Sequence, residues 1–143
     1  MLNVEAIEKA EAVSEPFSFF RTVVLSEPDL AKVRADFPAI DKPGIFPPEA
    51  LKFGAAFGDL VEELQSPSFS RAVGAKLGIE LAELPQMITV RGRAQAKDGR
   101  IHTDTKDKVA TCLLYLNSAW DGSGGRLRLL RNGHDLEDYI AEI

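Results

Sequence analysis

The sequence predicts an α+β protein, helical in its first half and strand-rich in its second. Two observations carry that reading. Apolar residues recur at helical spacing as far as Leu77. From Met87 the pattern changes to short runs rich in β-branched and aromatic residues, punctuated by Asp98-Gly99, the glycine-rich stretch 121–125 and Asn132-Gly133, all of them turn formers. A length of 143 residues suits one domain. Within it, 1–85 reads as a helical support with one early strand, and 86–143 as the start of a mainly β core.

The elements follow in chain order. Residues 4–12 read as a short helix. Phe17-Ser18-Phe19-Phe20-Arg21-Thr22-Val23-Val24-Leu25 is aromatic and β-branched, hence a strand. Ser26 offers an N-cap, with Asp29 three residues on, and Leu30, Val33 and Phe37 share one helical face. Pro38 closes that helix and opens a proline-rich loop to 48. Pro48 suits a first helical turn, and Leu51, Phe57, Leu60, Val61 and Leu64 form the stripe of that helix. Ser66-Pro67 breaks it, Ser68 caps the next, and Phe69, Val73 and Leu77 continue to a C-terminal Gly78. The second half predicts strands at 87–91 with a continuation over 93–96, then at 100–104, 109–116 and 126–130. The apolar run 109–116 reads as a buried strand, with Cys112 buried inside it. Asp135 opens a final segment, 136–143, of unassigned type. No internal repeat or low-complexity tract is present.

Composition excludes several functions. Seventeen basic against 22 acidic residues leave a net charge of −5, which argues against a general nucleic-acid binder. No apolar run approaches the roughly 20 residues of a membrane helix, and Met1-Leu2-Asn3-Val4-Glu5 lacks the plan of a signal peptide. A cytoplasmic location and a small-molecule or peptide substrate are expected, without membrane or nucleic-acid partners. The single cysteine, Cys112, rules out an intrachain disulfide and a Cys-rich zinc site.

The sharpest local feature is His102-Thr103-Asp104. Residues i and i+2 of a strand point to one face, so an imidazole and a carboxylate stand side by side. That is two thirds of the facial triad of non-haem Fe(II) oxygenases. Taken alone the pattern is short, and a strand-end histidine paired with a nearby aspartate explains it equally well.

Its surroundings are more specific. His102-Thr103-Asp104 precedes Val109-Ala110-Thr111-Cys112-Leu113-Leu114-Tyr115-Leu116-Asn117, then Trp120, then Gly124-Gly125-Arg126-Leu127-Arg128. In order and spacing this stretch resembles the prolyl-hydroxylase-like branch of the 2-oxoglutarate- and Fe(II)-dependent dioxygenases. The resemblance implies a double-stranded β-helix, a cupin-like jelly roll, carried on N-terminal helices. It implies Fe(II) on His102 and Asp104, with 2-oxoglutarate and O₂ as cosubstrates. Tyr115 would contact the distal carboxylate of 2-oxoglutarate, and Leu113 and Leu127 would wall the cosubstrate. Trp120 would pack the turn, which Gly124-Gly125 permits. The implied reaction hydroxylates a peptidyl or free amino-acid side chain while 2-oxoglutarate yields succinate and CO₂. A non-catalytic jelly-roll binding module is the alternative.

Two parts of the family pattern are missing. The resemblance places a second metal-binding histidine roughly 50–60 residues beyond the first, followed by a basic residue for the distal carboxylate; only 41 residues follow His102. His134 lies in a turn pattern, too early for that strand, and reads as a surface residue. Arg91, Arg93, Lys97 and Arg100 read as a solvated basic face. The chain is therefore expected to be the N-terminal portion of a truncated-looking barrel, with weak Fe(II) binding and poor turnover. Its transcript should continue past codon 143; an immediate stop codon, read by sequencing, would sink that expectation.

Overall fold

The computed structural model describes residues 1–117, 119–120 and 124–143. Four α-helices and two hairpins make up its regular structure: α1 (Val4–Lys9), β1 (Ala12–Val13), β2 (Phe19–Phe20), α2 (Glu27–Ala35), α3 (Ala55–Leu64), α4 (Pro67–Leu77), β3 (Arg128–Leu130) and β4 (Tyr139–Glu142).

Capping chemistry sets the helix ends. The Ser26 hydroxyl accepts the Asp29 N–H at 3.2 Å and starts α2. Ser66, not the expected Ser68, starts α4 by accepting the Phe69 N–H, with Pro67 in the first turn. Gly78 ends α4 at φ +71°, a left-handed conformation that glycine adopts freely. Helix α3 has no cap of its own. The Asp36 carboxylate, just past α2, accepts the Ala56 N–H at 2.7 Å instead. A side chain at Gly54 would collide with that carboxylate, so the N-terminus of α3 depends on a residue that lacks a Cβ. The helix expected from Pro48 is only one 3-10 turn, Pro48–Ala50, and α3 begins at Ala55.

Helices α2 and α3 close the main core. Leu25, Val33, Phe57, Leu60, Val61 and Val90 are buried there, with Phe37, Leu51, Leu64 and Leu116 packed around them. Phe37 meets Phe57 edge to face, with ring centroids 5.3 Å apart. A second cluster, Ile7, Ala72 and Val73, joins α1 to α4. Lys76 completes that joint by donating to the Glu8 and Ala10 carbonyls at the end of α1, where a helix leaves acceptors unpaired. The chain start lies on α3: the Met1 ammonium stands 3.1 Å from Glu63, and the Leu2 N–H donates to the same carboxylate.

The strand-rich half departs from expectation. The described residues hold two separate two-stranded antiparallel sheets, β1–β2 and β3–β4, and no jelly-roll sheet. The expected double-stranded β-helix is corrected accordingly. The early strand over 17–25 is reduced to Phe19–Phe20, paired with Ala12–Val13. Of the strand over 87–91, a single bridge between Phe46 and Val90 is formed. Residues 100–104 and 109–116 are not in a ladder. Residues 96–99 form a 3-10 turn in place of a strand's end. Asp121, Gly122 and Ser123 of the expected glycine-rich turn lie outside the described residues.

The physical reason is pairing. A strand needs a neighbour for its N–H and C=O groups. The C-terminal strands that could serve instead close on each other over a short loop, which costs the least chain entropy. Arg128 fastens that hairpin, donating to Glu142 at 2.8 Å and lying 2.5 Å from Glu137, with its guanidinium 4.7 Å from the Tyr139 ring centroid. Segment 109–116 is left without a ladder partner. Val109 is 57% exposed and Leu113 58%, and Cys112 is exposed rather than buried.

The stabilising apolar burial therefore lies in the helical half. Leu60→Ala, at a side chain only 1% exposed, should cost about 2–5 kcal/mol. Leu113→Ala should change stability by less than about 0.5 kcal/mol. Urea denaturation of both variants checks this; a large loss in Leu113→Ala would mean that 109–116 is packed after all.

Candidate metal centre

The His102–Asp104 pair lies between the 3-10 turn at 96–99 and a tight turn at 105–108, which the Lys108 N–H closes by donating to the Thr105 carbonyl at 3.0 Å. Both side chains are exposed. His102 Nδ1 lies 2.7 Å from the Arg100 carbonyl oxygen. A carbonyl can only accept, so Nδ1 carries the proton. In the neutral ring Nε2 then keeps its lone pair, the arrangement found in metal-binding histidines oriented by a backbone carbonyl.

Asp104 is held from the other side. Its Oδ2 accepts a short hydrogen bond from the Thr111 hydroxyl, and its Oδ1 stands 3.6 Å from the Lys108 ammonium. The Thr111 hydrogen bond, with the Lys108 and His102 charges behind it, holds the Asp104 carboxyl below the usual carboxylate range. Asp104 is thus an anion at neutral pH. Asp107 is lowered as well, first by the Thr105 hydroxyl.

The pair offers two of the donors a cation site would use, an imidazole nitrogen and a carboxylate, both open to solvent. No third protein ligand joins them, because no group of three or more His, Cys, Asp or Glu side chains suited to a metal occurs among the described residues. His134 does not supply it. It is exposed in the 132–135 turn, where the Asn132 side-chain oxygen accepts the backbone N–H groups of His134 and Asp135.

The three expected cosubstrate residues are placed apart from a closed pocket. Leu113 and Tyr115 are exposed on the unpaired segment. Leu127 extends the C-terminal hairpin, exchanging backbone hydrogen bonds of 3.2 and 2.9 Å with Ile143. Partial desolvation raises the Tyr115 phenol above its ordinary value, opposed by the charge of Arg91, so Arg91 is the cation in electrostatic reach of Tyr115. Arg91 also lies 3.8 Å from Asp98, while Arg93 and Arg100 are exposed; the side chain of Lys97 lies outside those described. Cys112 carries a thiol raised by desolvation, which keeps it protonated and a weak nucleophile. The Trp120 indole N–H donates to the Gly124 carbonyl at 3.1 Å, and Gly125 adopts φ +82° beside its ring.

Three residues escaped the reading of the motif. Thr111 and Lys108 hold Asp104, and Arg34 anchors the far end of the segment that carries Thr111. From α2, the Arg34 guanidinium donates to the Leu116 and Asn117 carbonyls, each at 2.5 Å. Nothing in the spacing of Arg34 marks it, since its partners are backbone atoms 82 and 83 residues away. Thr111 had a visible signal in retrospect: it is the one aliphatic hydroxyl within the largely apolar run 109–116.

Comparison of the chain with family models, with curated proteins and with solved structures finds no match. No helix is long and apolar enough to cross a membrane among the described residues.

The pH behaviour of Asp104 follows from its partners. A carboxyl lowered in the folded state stabilises the fold above its unfolded value, and that contribution is lost as pH falls through the lower folded value. Thr111→Val removes the leading cause and should return Asp104 toward 3.8. Carboxyl-carbon NMR titration of both proteins reads the change; coincident curves would remove Thr111 from this role.

Proposed function

We propose that this chain carries the first two metal ligands, His102 and Asp104, of a 2-oxoglutarate- and Fe(II)-dependent dioxygenase acting on a peptidyl or free amino-acid side chain. The observation that supports this most is local: an imidazole whose Nδ1 is committed to the Arg100 carbonyl, leaving Nε2 available, two residues from a carboxylate kept ionised. The ordered motifs from His102 to Arg128 point the same way.

Fe(II) held by this pair would supply the use of O₂ as the oxidant, one oxygen atom going into succinate as 2-oxoglutarate loses CO₂ and the other into a substrate C–H bond. The chain's own residues bind and orient. His102 offers Nε2, and Asp104 offers a negative charge that its hydrogen bond to Thr111 holds in one orientation. Tyr115 offers a hydroxyl to the distal carboxylate of 2-oxoglutarate, and Leu113 and Leu127 offer apolar walls. In the described structure Leu113 and Tyr115 face solvent, so this set works as a pocket only when segment 109–116 is covered.

A second reading, a non-catalytic binding module, is favoured by the lack of a third ligand among the described residues. Mn(II), a redox-stable stand-in with similar ligand preference, separates the two. Weak Mn(II) binding by the 143-residue chain should fall by about tenfold or more in His102→Ala and in Asp104→Ala, read by electron paramagnetic resonance. Equal binding in all three proteins would favour the non-catalytic module. Full 2-oxoglutarate decarboxylation by this chain would instead show that the two ligands suffice.

A further inference from the structure

Resting on that assignment of His102 and Asp104, we infer that Thr111 and Lys108 are opposed positioning residues for the metal: Thr111 holds Asp104 in its ligating orientation, and Lys108 is a tethered cation that an incoming divalent ion must displace. The geometry separates the two roles. Thr111 donates to Oδ2, while Lys108 approaches Oδ1 at 3.6 Å. One carboxylate oxygen is thus committed to a neutral donor and the other to a charge.

A neutral hydrogen bond survives metal binding, because a carboxylate has lone pairs to spare on both oxygens. The ammonium does not share Oδ1 on the same terms. It repels a dication, and its stem is free to swing away, since the Lys108 side chain is 43% exposed. The turn at 105–108 delivers this lysine: the Lys108 N–H bond to the Thr105 carbonyl brings position 108 back over position 104. Thr111 lies three residues further on, at the start of the stretch whose far end Arg34 fastens to α2. Asp104 is therefore oriented from a segment anchored on the helical core.

The two roles predict opposite effects on one measurement. Mn(II) affinity of the full 143-residue chain should weaken about tenfold in Thr111→Val, the scale of lost orienting bonds around metal ligands. Thr111→Ser should recover most of it. Lys108→Met should bind Mn(II) several-fold more tightly, with a gain that shrinks as ionic strength rises. Both positions are exposed, and circular dichroism of each variant serves as the check that it folds. A merely structural contribution would not give serine rescue or a tighter lysine variant. Unchanged affinity in Thr111→Val, or unchanged or weaker affinity in Lys108→Met, overturns the inference while the metal assignment stands, provided His102→Ala still weakens binding by about tenfold or more. Wild-type binding that is absent, or indifferent to His102, overturns both.

Discussion

The Arg34 guanidinium joins the two halves of this structure. Its helix, α2, is fixed by the buried Val33 beside it, which packs with Phe57, Leu60 and Val61 of α3. Its two hydrogen bonds reach the Leu116 and Asn117 carbonyls. Hydrogen bonds from a charged donor are stronger than neutral ones, and here they serve a segment with no ladder partner. Leu116 adds apolar contact to the same core. The position of residues 109–117, and through Thr111 that of Asp104, depends on this anchorage.

The rest of the site is built from short-range contacts. His102 uses a carbonyl two residues away, Lys108 closes its own turn, and Thr111 lies seven residues beyond Asp104. Such contacts orient ligands without a barrel around them. They do not exclude water or supply a third ligand, and the pair therefore stands exposed. The helical core and the candidate site contribute separately: the first supplies most of the apolar burial, the second supplies charge and orientation.

Legibility in the sequence follows the range of the interactions. Ser26 as N-cap, Gly78 as C-cap and the stripe Phe57, Leu60 and Val61 were readable because their causes lie within a turn or two of helix. The Ser68 cap was misplaced by two residues because Pro67 marks a first helical turn as readily as a break. Within the site, His102 and Asp104 were readable as a pair. Thr111 and Lys108 were not, since their roles depend on how the 105–108 turn folds back.

The larger divergence lies in residues 100–116. Alternation and β-branched content express a tendency to be extended, yet no residue of 100–116 is in a strand. A sheet further requires a partner, and partner choice is a competition among segments far apart in the chain. The C-terminal strands pair locally, across a short loop and under the Arg128 clamp, leaving 109–116 uncovered. By itself the sequence determined most of the helical first half and the caps at Ser26 and Gly78, because each is a matter of local geometry. Only the tertiary structure decided that the described strands form two separate hairpins, that Asp104 is held by Thr111 and Lys108, and that Arg34 carries the connection, because each is settled by which other group reaches an unpaired atom first.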